Sequence, residues 1–157
     1  MNRNSAARRF RPGLWFAVPL RSEGFATGIV ARSSATSGII LGYFFGPRRA
    51  GASSMSEVEV LTPNDAIWVC RFGYLGLKDG KWPLIGMQSD WDSRDWPMPK
   101  MPRYEELTGR TFEVSYNDSD PALALAEKQI EPGLACPFWE DGLAGSGFVE
   151  IKLDGLL

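Results

Sequence analysis

The chain contains no histidine among its 157 residues. Histidine is the usual general base at neutral pH, the activating partner in Ser-His and Cys-His nucleophile pairs, and the commonest zinc ligand. Its absence excludes histidine-based hydrolysis and leaves the thiol of Cys136 without a histidine to activate it. Carboxylates could still bind a hard cation, but neither acidic cluster of the chain has the Gly and Glu positions of an EF-hand loop. We therefore expect no catalytic residue, no metal ligand and no cofactor, and we favour a protein that is not an enzyme.

Cysteine is also scarce, with two residues in the whole chain. Cys70 lies in Val-Cys-Arg-Phe and Cys136 in Ala-Cys-Pro-Phe, and their spacing is not that of a metal-binding pair. Because free cysteine is among the most buried residue types, these surroundings predict a buried, reduced pair. The sequence does not indicate a disulfide between them.

Long apolar runs are missing as well. The run at residues 39–45 is far shorter than the about 20 apolar residues that a transmembrane helix needs. Near the N-terminus, Arg8, Arg9 and Arg11 precede an apolar segment, but Pro19 interrupts that segment and no small-residue cleavage pattern follows it. We therefore expect a cytoplasmic protein with no membrane partner.

No charge of one sign dominates the chain. Seventeen basic and nineteen acidic residues give a formal net charge of -2, which provides no general electrostatic attraction for nucleic acid. The length suits one domain, which we assign to residues 10–157. Residues 1–9 are polar and basic without periodicity, and we expect them to form a mobile N-terminal tail.

Short apolar, aromatic and β-branched runs bounded by Pro and Gly are typical of strands joined by tight turns. They occur at residues 14–20, 25–31, 39–45, 67–72, 82–85, 111–116 and 148–153. Asp120 and Pro121 suit a helix start, and residues 121–130 predict the one clear helix, which Pro132 ends. These elements predict a mainly β (α+β) fold, with a bent, mostly antiparallel sheet or a partly open barrel.

The apolar strand positions predict much of the core. These positions are Trp15, Phe16, Val18, Ile39, Leu41, Ile67, Val69, Phe72, Ile85, Val149 and Ile151. The Gly-rich segment 141–148 lacks the Lys-Ser/Thr ending of a P-loop and, in this interpretation, runs into a strand. We therefore expect a turn there and no phosphate site.

Two acidic segments are the candidates for function. In Ser-Asp-Trp-Asp-Ser-Arg-Asp-Trp, residues 89–96, three carboxylates alternate with aromatic and Arg side chains, the residue types that dominate protein interfaces. Its candidate partner-binding residues are Asp90, Trp91, Asp92, Arg94, Asp95 and Trp96. In the alternative interpretation the two tryptophans pin the loop to the core and the aspartates face water. The second segment contains Asp118 and Asp120, which we expect to cap the predicted helix.

Several turn and core residues together carry a family resemblance. The order begins with Arg11, Pro12-Gly13, Trp15, Phe16 to Leu20, a Gly-centred strand and Ile40 to Phe44. Its middle part consists of Arg71, Phe72, Gly73, Trp82, Pro83, Ile85 and Gly86. Its last part consists of Asp141, Gly142, Gly145 and Gly147. This order resembles the immunity protein 26 family of bacterial polymorphic toxin systems. The resemblance spans most of residues 10–153.

The resemblance implies an intracellular protein that binds and neutralises a toxin delivered by, or shared with, neighbouring bacteria. The expected partner is thus a cognate protein toxin, neutralised by stoichiometric occlusion, with no nucleic-acid partner. Some relatives also resemble small phosphotriester hydrolases. The alternative is therefore a metal-dependent hydrolase of such substrates, with Asp90, Asp92 or Asp118 as its metal-binding carboxylates.

Overall fold

The computed structural model describes residues 3–134 and 140–157. The strands in these residues are β1 (Leu14–Pro19), β2 (Phe25–Ser33), β3 (Ile39–Arg49), β4 (Trp68–Gly73), β5 (Leu84–Met87), β6 (Met101–Glu105), β7 (Arg110–Asn117), β8 (Asp120–Ile130) and β9 (Leu143–Ala144). The helices are α1 (Ala6–Arg9), α2 (Met55–Val58), α3 (Leu75–Lys78) and α4 (Ser146–Leu156), with 3₁₀ turns at Pro63–Asp65, Ser93–Asp95 and Pro132–Leu134.

The strands form two sheets. The main sheet has the order β5-β1-β2-β3-β4-β9 and is antiparallel except for the parallel β4 and β9 pair, and the small sheet has the antiparallel order β6-β7-β8. The main sheet is bent and does not close into a barrel. The predicted fold class is therefore confirmed, and α4 is the one clear helix.

The central strands of the main sheet are buried on both faces. Phe16 of β1 packs into a core that also contains residues of α1, α3 and α4. Its neighbour Trp15 points to the opposite face, into a core that is closed by Trp96 and by the small sheet. Strands covered on both faces have continuous apolar sequences rather than alternating ones, which explains why residues 14–20 and 39–45 were recognisable as strands.

Most of the predicted core is buried. The buried residues are Trp15, Phe16, Val18, Leu41, Val69, Phe72 and Val149, whereas Ile39, Ile67 and Ile85 are partly buried. Ile151 is 57% exposed, so its assignment to the core was wrong. Cys70 is buried, and burial raises the pKa of its thiol well above the usual range. Cys136 lies outside the described residues.

The predicted helix at residues 121–130 was wrong, because this segment is β8. It pairs with β7 from Asn117 opposite Asp120 to Thr111 opposite Ile130. The strand thus forms through a long-range partner against the preference of its own residues, as tertiary context often allows. It follows that Asp118 and Asp120 do not cap a helix and lie instead at the β7–β8 turn.

The predicted strand at residues 148–153 was also wrong, because it lies in the 11-residue helix α4. Val149 and Leu153 are buried, while Phe148 and Ile151 are more than half exposed. The buried pair has the i, i+4 spacing of one helix face, which six residues alone do not distinguish from strand alternation. The Gly-rich segment therefore runs into a helix, and it lines an open cavity of about 480 Å³ beside Trp68 and Phe148.

A polar contact joins the two sheets. The guanidinium of Arg71 on β4 lies 4.0 Å from the ring centroid of Tyr116 on β7 and donates a hydrogen bond of 3.1 Å to the carbonyl of Pro121 on β8. The Tyr116 hydroxyl donates to Asp141. Burial and this hydrogen bond raise the pKa of Tyr116. The small sheet is thus tied to the main sheet by a guanidinium stacked on a phenol ring.

Candidate functional site

Two tryptophans hold the segment of residues 88–97, which we call the Trp loop, against the main sheet. Trp96 is 6% exposed and packs edge-on against Trp15 and Tyr43, with ring centroids 5.9 and 5.3 Å apart. Trp91 stacks on Trp96 at 5.9 Å. It also covers Gly13, where a Cβ atom would lie 3.2 Å from the Trp91 ring. The middle of the loop therefore has an aromatic anchor.

Hydrogen bonds fix both ends of the Trp loop. At its start, the Trp15 indole donates to the side-chain oxygen of Gln88 at 2.8 Å, and the backbone amide of Gln88 donates to the Gly13 carbonyl at 2.7 Å. At its end, the Tyr43 hydroxyl donates to the Pro97 carbonyl. Burial raises the pKa of Tyr43 to about 12.

Arg32 of β2 ties the Trp loop to the β7–β8 turn. Its side chain is 5% exposed. On the loop side, Nη1 donates to the Trp96 carbonyl at 2.9 Å and Nη2 donates to the Ser93 carbonyl at 3.2 Å. On the turn side, Nε donates to the Asp118 carbonyl at 2.7 Å and Nη2 to the Asp118 carboxylate at 3.0 Å. A buried charge needs such partners, and here they belong to two separate surface segments.

The two acidic segments of the sequence therefore meet at one guanidinium. We call the resulting surface the acidic face, and it consists of Asp90, Asp92, Asp95, Asp118 and Asp120. The Asp118 side chain is 76% exposed although it contacts Arg32. Asp120 accepts hydrogen bonds from the Thr36 hydroxyl at 3.4 Å and from the Ala122 amide at 2.9 Å.

The charges within the Trp loop are unevenly paired. Asp92 accepts a hydrogen bond from the Arg94 amide at 2.9 Å and forms a 2.8 Å ion pair with its guanidinium. Hydrogen bonds from the Arg94 side chain and backbone lower the pKa of Asp92 to about 2. Asp90 and Asp95 are exposed and form no ion pair with any described residue. The carboxylates of this loop that form no ion pair within the described part of the chain are thus Asp90 and Asp95. The hydrogen bond to Asp92 raises the pKa of the Arg94 guanidinium, and Asp95 lies close enough to contribute to that rise.

The six predicted binding residues are therefore divided between interior and surface. Trp96 is in the core and Trp91 is partly buried, whereas Asp90, Arg94 and Asp95 are exposed. Sequence reasoning missed Arg32 and did not connect Asp118 to the loop. A signal for Arg32 was present, since it is a single charge directly after the apolar run Gly28 to Ala31.

Across residues 3–134 and 140–157, no group of three or more Cys, Asp or Glu side chains has a geometry suited to holding a metal ion. In the same part of the chain, no helix is both long and apolar enough to cross a membrane.

Comparison with known protein families matches residues 11–113 to immunity protein 26. This match covers more than half of the chain, so the chain belongs to the immunity protein 26 family. The resemblance found in the sequence is confirmed over residues 11–113, and the match does not include the part of it that was assigned to residues 141–153. No curated protein and no solved structure gives a significant match. The matched range includes Arg32 and the whole Trp loop, whereas Asp118 and Asp120 follow it.

Proposed function

We propose that the protein neutralises a cognate bacterial toxin in the cytoplasm by stoichiometric binding, without turnover. Membership of the immunity protein 26 family supports a role in immunity. The partner implied by that role is a toxin domain, and simple occlusion of the toxin needs neither a cofactor nor a catalytic residue in this chain.

We further propose that the acidic face contacts the toxin. The observation that carries this proposal is the bonding of Arg32 to both the Trp loop and the β7–β8 turn. Segments held in place before binding lose little conformational freedom when a partner docks, and this preorganisation favours affinity. Exposed carboxylates steer a partner of opposite charge. A toxin with a cationic groove for nucleic acid is therefore the partner class that suits this face.

The test of neutralisation uses the product of the gene immediately upstream, where we expect a large secreted protein with a variable C-terminal toxin domain. Co-expression should restore growth, and titration calorimetry of the purified pair should give one chain per toxin domain. Protection at far less than one chain per toxin would indicate turnover, and a toxin that stays fully active in excess chain would overturn the proposal. A metabolic gene in the upstream position would weaken it.

The role of the acidic face is tested by charge reversal at Asp95, which is exposed and unpaired among the described residues. Asp95→Lys should slow association with the toxin at least about fivefold at physiological salt, because steering at that ionic strength depends on the local charge. The midpoint of thermal unfolding should barely change. Asp92→Lys is a less clean variant because Asp92 bonds the backbone of its own turn.

The matched control is Glu23→Lys, which changes the net charge by the same amount. Glu23 is exposed near the β1–β2 turn, whereas the acidic face lies near the other end of β2. We expect stopped-flow association rates within about twofold of the unmodified chain for this control, because only local charge should matter at physiological salt. Equal rates for Asp95→Lys and Glu23→Lys would show that the acidic face is not the inhibitory surface.

A further inference from the structure

Strand β8 is a strand built from helix-forming residues. Residues 122–129 read Ala-Leu-Ala-Leu-Ala-Glu-Lys-Gln, all among the best helix formers, whereas Ala, Glu and Lys are depleted in strands. Residues 123–129 are all exposed, so both faces of this half of β8 are bare. Leu123 and Leu125 are 51% and 62% exposed. Burial therefore contributes little to keeping these residues extended.

Pairing with β7 is also incomplete. Ser115 lies opposite Ala126, Tyr116 opposite Ala124, and Asn117 opposite Asp120, so residues 121–123 and Leu125 have no direct partner in the ladder. On its other side β8 is the edge of the small sheet. Extended structure in this segment thus depends on one interrupted ladder and on an exposed ion pair between Glu127 and Arg103, against the conformational preference of nearly every residue in it.

The start of β8 already contains the first contact of a helix. The Asp120 carboxylate accepts a 2.9 Å hydrogen bond from the amide of Ala122. In a helix beginning at Pro121, Asp120 would be the N-cap and would accept the same bond from the second helical residue. Proline is favoured at the first helical position. This capping bond is therefore compatible with both conformations and need not break when one converts to the other.

Side chains of the main sheet anchor the chain up to Pro121, and beyond it the side-chain contact is the exposed ion pair of Glu127 with Arg103 on β6, a kind of pair that contributes little to stability. Arg32 holds Asp118, and Arg71 holds the carbonyl of Pro121 through a 3.1 Å bond. A helix over residues 121–130 would place Leu123, Ala126 and Ile130 along one side at spacings of three and four. The hinge would fall directly after Pro121, and the anchored part of the acidic face would stay in place.

We infer that residues 121–130 exchange between strand β8 and a minor helical conformation that begins at the Asp120 cap. Strand is the major form because a helix of about ten residues is only marginally stable alone in water. The exchange is independent of the proposed function, since it lies beyond the anchors that hold Asp118 and Pro121.

The test is chemical-exchange saturation transfer NMR on the full-length chain, which reports the shifts of a minor state that exchanges on the microsecond to millisecond timescale. We expect minor-state ¹³Cα shifts typical of helix at residues 122–130 and unchanged shifts at Asp118. The double variant Ala124→Thr and Ala126→Thr should lower the minor population about fivefold, because Thr is a poorer helix former and a better strand former.

The matched control is Leu123→Met with Leu125→Met, at two neighbouring exposed positions. Leu and Met have similar helix propensities, so the minor population should stay within about twofold of the unmodified chain. The inference is overturned if the unmodified chain shows no exchange at residues 122–130, if its minor state has random-coil shifts, or if the Thr and Met variants shift the population equally.

Discussion

Arg32 organises the surface from inside the protein. Its guanidinium is buried, yet each hydrogen-bonding partner that it reaches outside β2 belongs to the Trp loop or to the β7–β8 turn. The carbonyls of Trp96 and Asp118 would lose a donor if this side chain were removed. Buried acceptors without partners carry their full desolvation cost. Arg32 is therefore a positioning residue for the acidic face and does not itself form part of that surface.

Arg32→Ala should lower the free energy of unfolding by about 2–4 kcal/mol, because the buried Trp96 carbonyl and the part-buried carbonyls of Ser93 and Asp118 lose their donor at once. Asp118→Ala should cost less than about 1 kcal/mol, because it removes only a largely exposed carboxylate and keeps the backbone bond. Urea denaturation monitored by circular dichroism measures both. Similar small losses for the two variants would mean that Arg32 does not hold the segments together.

The packing of the Trp loop against the start of β1 depends on Gly13. Its φ of 98° is rarely adopted by residues with a side chain, and a Cβ atom there would meet the Trp91 ring at 3.2 Å. Gly13→Ala should therefore lower the free energy of unfolding by about 1–3 kcal/mol. Hydrogen exchange at residues 88–96 should become faster, because Trp91 must move away from β1.

Gly51→Ala is the matched control for Gly13→Ala. Gly51 is exposed, has an ordinary φ, and has no atom within 4 Å of the position of an added Cβ. Its unfolding free energy should change by no more than about 0.5 kcal/mol. Exchange at residues 88–96 that is as slow in Gly13→Ala as in Gly51→Ala would contradict the contact between Trp91 and β1.

At the scale of elements, the sequence predicted what depends on local pattern. Strands β1 and β3 were recognisable because burial on both faces requires uninterrupted apolar runs. Strand β8 was missed because its residues favour helix and its pairing with β7 is a tertiary effect. Helix α4 was missed because apolar and polar residues alternate from Val149 to Leu153 in the sequence, which is the pattern of a strand, although Ile151 of that set is exposed.

The candidate site was predictable in part for the same reason. Interface-like composition identified the Trp loop, but composition does not tell which aromatic ring is buried, and Trp96 belongs to the core. The contact between Asp118 and Arg32 joins residues 86 positions apart. Such a contact depends on how the small sheet packs on the main sheet, which local sequence does not specify.

For the whole molecule, the question is whether the two sheets unfold together. Their shared core contains Trp15 and Tyr43 from the main sheet with Val114 and Tyr116 from the small sheet. Arg71 and Asp141 add polar contacts at Tyr116. A single packed core and a polar contact at its margin favour one cooperative unfolding transition, as is usual for domains of this size.

Tyr116→Phe tests the hydrogen bond between Tyr116 and Asp141 while keeping the ring stacked against Arg71. Removing the hydroxyl deprives Asp141 of a donor, and the Arg71 Nη2 that also faces this carboxylate lies 3.8 Å away. The free energy of unfolding should fall by about 1.5–3 kcal/mol, the range for hydrogen bonds to a charged group.

The matched control is Tyr104→Phe in the same sheet, where the side chain is 58% exposed and a change within about 0.5 kcal/mol is expected. Urea unfolding followed by tryptophan fluorescence and by far-ultraviolet circular dichroism should give coincident transitions for both variants. If Tyr116→Phe costs no more than Tyr104→Phe, or if the two probes separate in the unmodified chain, the sheets are not coupled through this contact and the small sheet unfolds on its own.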